Sequence, residues 1–160
     1  QVSLVQDPYN YGTTTVSTAS TLRSVKAMKL ASGAGTFQAD EKITQATSGA
    51  VGKVVEYDST NRIIYYQQER FADYGTPSDG NKDAFSGTYT ITGATSSATG
   101  APDADADSAV DTGDSTVTFT NGFANEEIEH DSGDILYTES RRPISRASDQ
   151  TEDIKLIIEF

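Results

Sequence analysis

Apolar and polar residues alternate along much of this chain, and a period of two predicts β-strands. The alternation is clear over residues 2–6, 51–57, 62–68 and 115–120. The polar residues 58–61 between the second and third stretches are typical of a hairpin connection. The pattern therefore predicts a mainly β, antiparallel fold, either a sandwich or an open barrel.

Two segments carry helical features. Residues 22–30 place apolar side chains at helical spacing, but the Thr-rich approach and the glycines that follow favour a strand, which we predict. Asn125 is suited to cap a helix, the two glutamates after it suit a helix amino end, and Gly133 is suited to end it. One short helix is therefore predicted over residues 125–133.

The middle of the chain contains two similar stretches. Phe37 precedes residues 43–52 (ITQATSGAVG), and Phe85 precedes residues 91–100 (ITGATSSATG) at the same spacing. Strings of Thr, Ser, Gly and Ala also coincide by chance, so both a two-unit repeat and a coincidence stay open. Because one hairpin cannot bury its apolar face alone, the two units are expected to pack on each other or on neighbouring strands.

The sequence pattern of residues 132–160 predicts a paired β ribbon. Apolar residues 135–137 open it, Pro143 interrupts regular pairing because it lacks an N–H, and residues 154–160 alternate again. A strand at this end of the chain is expected to be held in a sheet.

Residues at both ends of the chain form motifs that occur together in one protein family. They are His130, residues 132–137, Glu139, Arg141, residues 143–144 and residues 149–154, with residues 1–5 and Pro8 at the other end. This combination resembles the carboxyl-terminal part of the baseplate wedge protein, the product of gene eight, of T-even-type contractile-tailed bacteriophages. The long segment between the two ends has no counterpart in that resemblance.

The resemblance implies a domain layout and a function. Residues 1–36 and 121–160 would form a framing β module, and residues 37–120 an inserted lobe of β-hairpins. The implied role is structural, in a virion tail baseplate assembled in the host cytoplasm, with other wedge subunits as partners. The family protein is a homodimer and is longer than this chain, so self-association and a missing amino-terminal part are expected too.

The charge of the chain restricts the classes of partner that it can bind. The formal net charge is −12, and no Lys or Arg stands between Lys82 and Arg141. Such a surface repels nucleic acid and anionic membranes; it is either a solvated face or one that suits a basic protein partner. No apolar run has the length of a membrane span, so no membrane insertion is predicted. The absence of Cys excludes disulfides and Cys-based zinc sites.

One acidic stretch approaches the spacing of a calcium loop. Calcium binds several oxygen ligands, and the candidate ligands here are Asp103, Asp105, Asp107, Asp111 and Asp114. Ser108 stands where the sharp turn of such a loop needs glycine, and no helix is predicted beside it. A solvated acidic loop is the favoured interpretation, with Ca²⁺ as the alternative and no other cofactor predicted.

His130 is the single histidine of the chain. Its neighbours Glu129 and Asp131 raise general-base catalysis as one interpretation. There is no Cys nucleophile, no G-x-S-x-G motif and no second His for a zinc site. We interpret His130 as a residue near the end of the predicted helix, and we predict neither catalytic residues nor an enzyme.

A basic turn stands out in the acidic chain. Guanidinium groups bind carboxylates in a forked geometry, so we predict a partner interface at Arg141, Arg142, Pro143, Ile144 and Arg146. Pairing with acids of residues 149–153 in the same chain is the alternative. The matching family motif contains only the first of these arginines, together with Pro143 and Ile144.

A second class of function remains open beside the structural role. An acidic β-rich chain with a calcium loop would suit a calcium-dependent adhesin or surface-binding module that attaches to glycans or host surfaces.

Overall fold

The computed structural model describes residues 2–68, 82–113 and 115–140, and within these ranges it contains strands, turns and loops but no helix. The strands are β1 (Val2–Gln6), β2 (Lys26–Ala34), β3 (Lys42–Gln45), β4 (Val51–Asp58), β5 (Ile63–Gln67), β6 (Ile91–Gly93), β7 (Thr99–Pro102), β8 (Ala109–Asp111), β9 (Thr116–Thr118), β10 (Phe123–Ala124) and β11 (Asp134–Glu139). The predicted mainly β, antiparallel fold is confirmed, as is a strand rather than a helix in residues 22–30.

Most of the strands form one antiparallel sheet that closes on itself. Hydrogen-bonded neighbours follow the order β2-β5-β4-β3-β6-β7, and β7 then pairs with β2 again, with Leu30 opposite Pro102. The short strand β10 pairs with an earlier part of β2. The sheet is therefore a barrel, and the β2–β7 pairing joins its two edges.

Apolar side chains from β2 to β6 fill the barrel interior. The buried residues are Met28, Leu30, Ile43, Val54, Ile64, Tyr66 and Ile91. Strand β7 buries Pro102 and Gly100, and a Cβ on Gly100 would lie 2.6 Å from Cδ1 of Leu30. The close approach of this backbone allows β7 to complete the barrel wall.

A second core lies on the outside of the same wall. Ala27 on β2 and Ile63 on β5 pack there against Val117 of β9 and against Phe119. Because successive strand residues face opposite sides, β2 and β5 are buried on both faces. The β8–β9 hairpin and the chain after it therefore cover part of the outer surface of the barrel.

The two similar stretches of sequence occupy equivalent places. Strands β3 and β6 pair antiparallel with Thr44 opposite Thr92, so the β3–β4 and β6–β7 hairpins lie side by side. Phe37 and Phe85 are both buried in the interior core. Of the two expected arrangements, the units pack on each other, while duplication and coincidence both stay open as their origin.

The remaining strands form a separate two-stranded ribbon. β1 pairs antiparallel with β11, as expected for residues 2–6 and a strand of the closing stretch. Residues 141–160 lie outside the described residues. The barrel sheet uses β2 and β10 from the predicted framing module as well as strands of the predicted lobe, so the division into these two parts stays a prediction.

The helix predicted over residues 125–133 is wrong. The segment contains turns and one isolated bridge, between Asn10 and Ile128. Its acids bind other parts of the chain: the Arg23 N–H donates to Glu127 and the Gly12 N–H to Glu129. These distant donors replace the helix amino end that the sequence indicated.

Candidate functional site

The segment that follows β10 attaches the ribbon to the barrel. The Tyr9 N–H donates to Oγ of Ser132 at 2.9 Å, and the Glu129 N–H donates to the Tyr9 carbonyl at 2.7 Å. Gly133 has a φ of +80°, and a Cβ there would lie 2.6 Å from the Gln6 carbonyl oxygen. Glycine is thus required where the chain turns into β11.

The ribbon exposes large apolar side chains. Leu4 lies opposite Tyr137 and Val5 opposite Ile135, and a bulge leaves Leu136 as the extra residue of β11. The exposed fractions of these side chains are 51%, 56%, 40%, 69% and 59% in that order. Leu4 and Val5 are successive residues, so they face opposite sides. Within the described part of the chain, both faces of the ribbon are therefore open.

A second surface feature is a cleft of about 1170 Å³ on the outside of the barrel, which we call the outer cleft. Its walls are residues 19–25, the β4–β5 hairpin and the β8–β9 hairpin. Tyr65 and Glu56 are cross-strand partners, so they share the face on which the cleft lies. The remaining lining is rich in Ser and Thr hydroxyl groups.

Arg23 fixes one side of the outer cleft. Its Nη1 donates to the Val25 carbonyl and its Nη2 to the Asn125 carbonyl at 2.7 Å, while Nε lies 3.9 Å from Oε1 of Glu127. Burial lowers the pKa of Arg23, and the negative charge of Glu127 opposes that shift. The pair holds residues 19–25 against the segment that leads to the ribbon.

Comparisons of this chain with known protein families, with curated proteins and with solved structures find no match. In the ranges that the structure describes, no helix combines the length and apolar character that crossing a bilayer requires.

His130 lies in the attaching segment, with its Nε2 2.8 Å from Oε1 of Glu126. The imidazole is largely exposed, whereas the Glu126 side chain is buried and its Oε2 has no hydrogen-bond partner in the described residues. The interpretation of His130 as a helix-end residue is wrong, because no helix forms there. The prediction that it is not catalytic stays a prediction.

The candidate calcium ligands serve separate turns. Asp103 accepts from the Asp105 N–H at 3.2 Å, Asp107 from the Asn121 N–H at 2.6 Å and Asp111 from the Gly113 N–H at 2.8 Å. Among the described residues no three His, Cys, Asp or Glu side chains are grouped as metal ligands would be. Asp114 lies outside these residues, so the solvated loop stays the favoured interpretation and calcium binding the alternative.

The predicted partner interface also lies outside the described residues. It comprises Arg141, Arg142, Pro143, Ile144 and Arg146. The choice between a neighbouring subunit and acids of the same chain therefore stays open.

Sequence reasoning missed the outer cleft and one buried carboxylate. Arg23 is the sole charged residue in residues 13–24, a signal that was available. Glu41 gave no such signal, yet it is 4% exposed and binds the turn between β6 and β7. The roles of Arg23 and Glu41 both depend on contacts with residues that are far away in the sequence.

Proposed function

We propose that this chain is a structural part of a contractile-tail phage baseplate wedge and that the β1–β11 ribbon is its contact with other wedge subunits. The proposal rests on one observation, which is that β1 and β11 pair with each other. Motif residues 2–5 lie in β1, and those from His130 to Glu139 form β11 and the turn before it. The described parts of the two stretches that resemble the wedge protein thus meet at one ribbon.

The physical properties of the ribbon favour a protein partner. An isolated two-stranded sheet is marginally stable in water, and it gains stability when its apolar faces or free edges are covered. Here Ile135, Leu136 and Tyr137 are all more than half exposed. A protein surface that covers them would remove apolar area from water, which is the main source of association free energy. This role needs no chemical step, so the proposed protein is not an enzyme.

The proposal is tested by co-expressing the chain with the other wedge subunits of the same phage and measuring co-purification and assembly. Tyr137→Ser should weaken the association, because it removes an exposed aromatic ring from the ribbon. Tyr89→Ser is the matched control, since Tyr89 is 46% exposed on another part of the surface. Failure to co-purify with any wedge subunit, or equal losses in the two variants, would contradict the proposal.

The resemblance also implies a homodimer, and sedimentation velocity of the chain alone tests this separately. Electron microscopy of the tail, with the chain located in the baseplate, would test the virion location.

A further inference from the structure

We infer that the outer cleft is a binding site for a neutral oligosaccharide. This inference goes beyond the structural role and does not depend on it. The cleft lies on the barrel, whereas the proposed subunit contact lies on the ribbon. It also requires none of the acidic residues considered for calcium.

Among the described residues, the cleft contains polar side chains that are available to bind a ligand. The side chains of Glu56, Thr116 and Thr118 are exposed and make no hydrogen bond to other described residues. A carboxylate offers acceptors only, whereas a hydroxyl both donates and accepts. Sugar hydroxyls have the same dual character, so this combination can satisfy several of them at once.

Tyr65 contributes an aromatic ring to the cleft. Tyr65 is partly buried against the outer core, and the side chain of Thr112 lies near its hydroxyl. Burial raises the pKa of Tyr65, so the phenol stays protonated and available as a hydrogen-bond donor or acceptor at neutral pH. The ring presents apolar surface beside polar groups, which is the composition that ligand sites use to orient a ligand.

The negative charge at the cleft favours neutral sugars over anionic ones. Glu127 is paired with Arg23, and Asp58 accepts hydrogen bonds from Thr60 and Asn61. Glu56 adds a negative charge, and the chain as a whole has a formal charge of −12. Phosphorylated, sulfated or uronic acid sugars would therefore be repelled, and neutral sugars would not.

Hydrogen bonds within the chain hold the walls of the outer cleft in place without a ligand. The Asp58 carboxylate fixes the β4–β5 turn through the N–H groups of Thr60 and Asn61, at 2.9 Å and 3.0 Å. On the opposite wall, the Thr112 hydroxyl donates to the Ser115 carbonyl at 2.8 Å. A site formed in advance loses little conformational entropy when it binds.

The experiment is saturation-transfer NMR on the chain with a panel of neutral oligosaccharides built from glucose, mannose, galactose or N-acetylglucosamine. Heparin-derived oligosaccharides and oligolysine serve as anionic and cationic comparators. At least one neutral oligosaccharide should bind with a Kd of about 10 mM or tighter. No transfer to any of them at that concentration, or tighter binding of either comparator, would overturn the inference.

Variants then locate the site. Glu56→Gln and the pair Thr116→Val with Thr118→Val should each weaken the best neutral ligand about fivefold, the effect of one or two lost hydrogen bonds. Asp105→Asn is the control for the first, because Asp105 is an exposed acid that does not line the cleft. Thr44→Val with Thr92→Val is the control for the second, on exposed positions of β3 and β6. Unchanged affinity in the cleft variants, or equal loss in the controls, would place binding elsewhere and overturn the inference.

Discussion

At the scale of single residues, Glu41 joins the two hairpin units of the barrel. Its carboxylate accepts hydrogen bonds from the N–H groups of Gln38, Thr95 and Ser96 and from the Ser96 hydroxyl, at 2.7–3.0 Å. Burial alone would raise the pKa of Glu41, but these hydrogen bonds outweigh it and leave the pKa below its ordinary value of 4.5. The charged form is therefore the form that stabilises the fold.

Glu41→Gln should lower the free energy of unfolding at pH 7 by about 1–3 kcal/mol, because its amide NH₂ would face groups that donate. The folded pKa is depressed, so the stabilisation by Glu41 is present above pH 4.5 and is lost as pH falls through the folded pKa. The difference between wild type and variant should shrink over that range. Urea unfolding at several pH values measures it.

The control for this prediction is Glu56→Gln, at an exposed position of β4, which should change the free energy of unfolding by less than about 0.5 kcal/mol. The ordinary pKa of a Glu carboxyl is 4.5. If the difference in free energy of unfolding between Glu41→Gln and wild type stayed constant below about pH 4, the assigned role would be contradicted.

Backbone conformation distinguishes the two units at one position. Ser97, in the turn between β6 and β7, has a φ of +57°, and Gly49 stands at the equivalent place between β3 and β4 with a φ of +73°. Left-handed backbone is strained for L residues other than glycine. Ser97→Gly should therefore raise the free energy of unfolding by up to about 1 kcal/mol, and Gly49→Ser should lower it by a similar amount.

Thermal unfolding of these two variants tests the argument, since a Cβ on Gly49 would meet no atom closer than 3.4 Å and so adds no clash. Changes of the same sign in both variants would show that a factor other than the positive φ controls this position.

At the scale of elements, the two buried phenylalanines make equivalent contacts. Phe37 lies edge-on to Tyr57 with ring centroids 5.4 Å apart, and Phe85 lies edge-on to Tyr66 at 5.0 Å. Both rings are buried in the interior core. The shared spacing of aromatic and isoleucine in the sequence thus corresponds to a shared packing position.

Phe37→Leu and Phe85→Leu should each cost about 1–2 kcal/mol, because the variants lose the ring contact and leave a small cavity. Tyr89→Leu, at an exposed aromatic position, should cost less than about 0.5 kcal/mol. Urea unfolding gives all three values. A large loss at one phenylalanine with none at the other would contradict the equivalence of the two units.

Elements with a local signal were the ones that could be predicted from the sequence. Residues 51–57 and 62–68 pair through a short connection, so alternation and turn residues sufficed to predict their hairpin. The pairing of Leu30 with Pro102 closes the barrel across a long stretch of chain and left no local pattern. The helix prediction failed for the same reason, because Glu127 binds the distant Arg23. The outer cleft lies between three separate segments, so no local pattern predicted it, although Arg23 marked one of those segments.

At the scale of the whole molecule, the described residues form a barrel with two cores and a ribbon that has no core among those residues. The barrel buries side chains inside and outside its wall, whereas β11 is exposed along nearly its whole length. Local opening costs least where few apolar contacts would be lost. The ribbon should therefore open independently of the barrel.

Hydrogen exchange measured by NMR tests this difference in the chain alone. Paired amides of β1 and β11 should exchange at least about tenfold faster than those of Met28 and Ile64, which lie opposite each other in the barrel wall. Adding a wedge subunit that covers the ribbon should slow exchange in β1 and β11 and leave the two barrel amides unchanged, because the barrel wall is already buried. Equal protection of ribbon and barrel before any partner is added would mean that both unfold as one unit. The ribbon would then be complete without a partner, and its exposed side chains would give no reason to expect one.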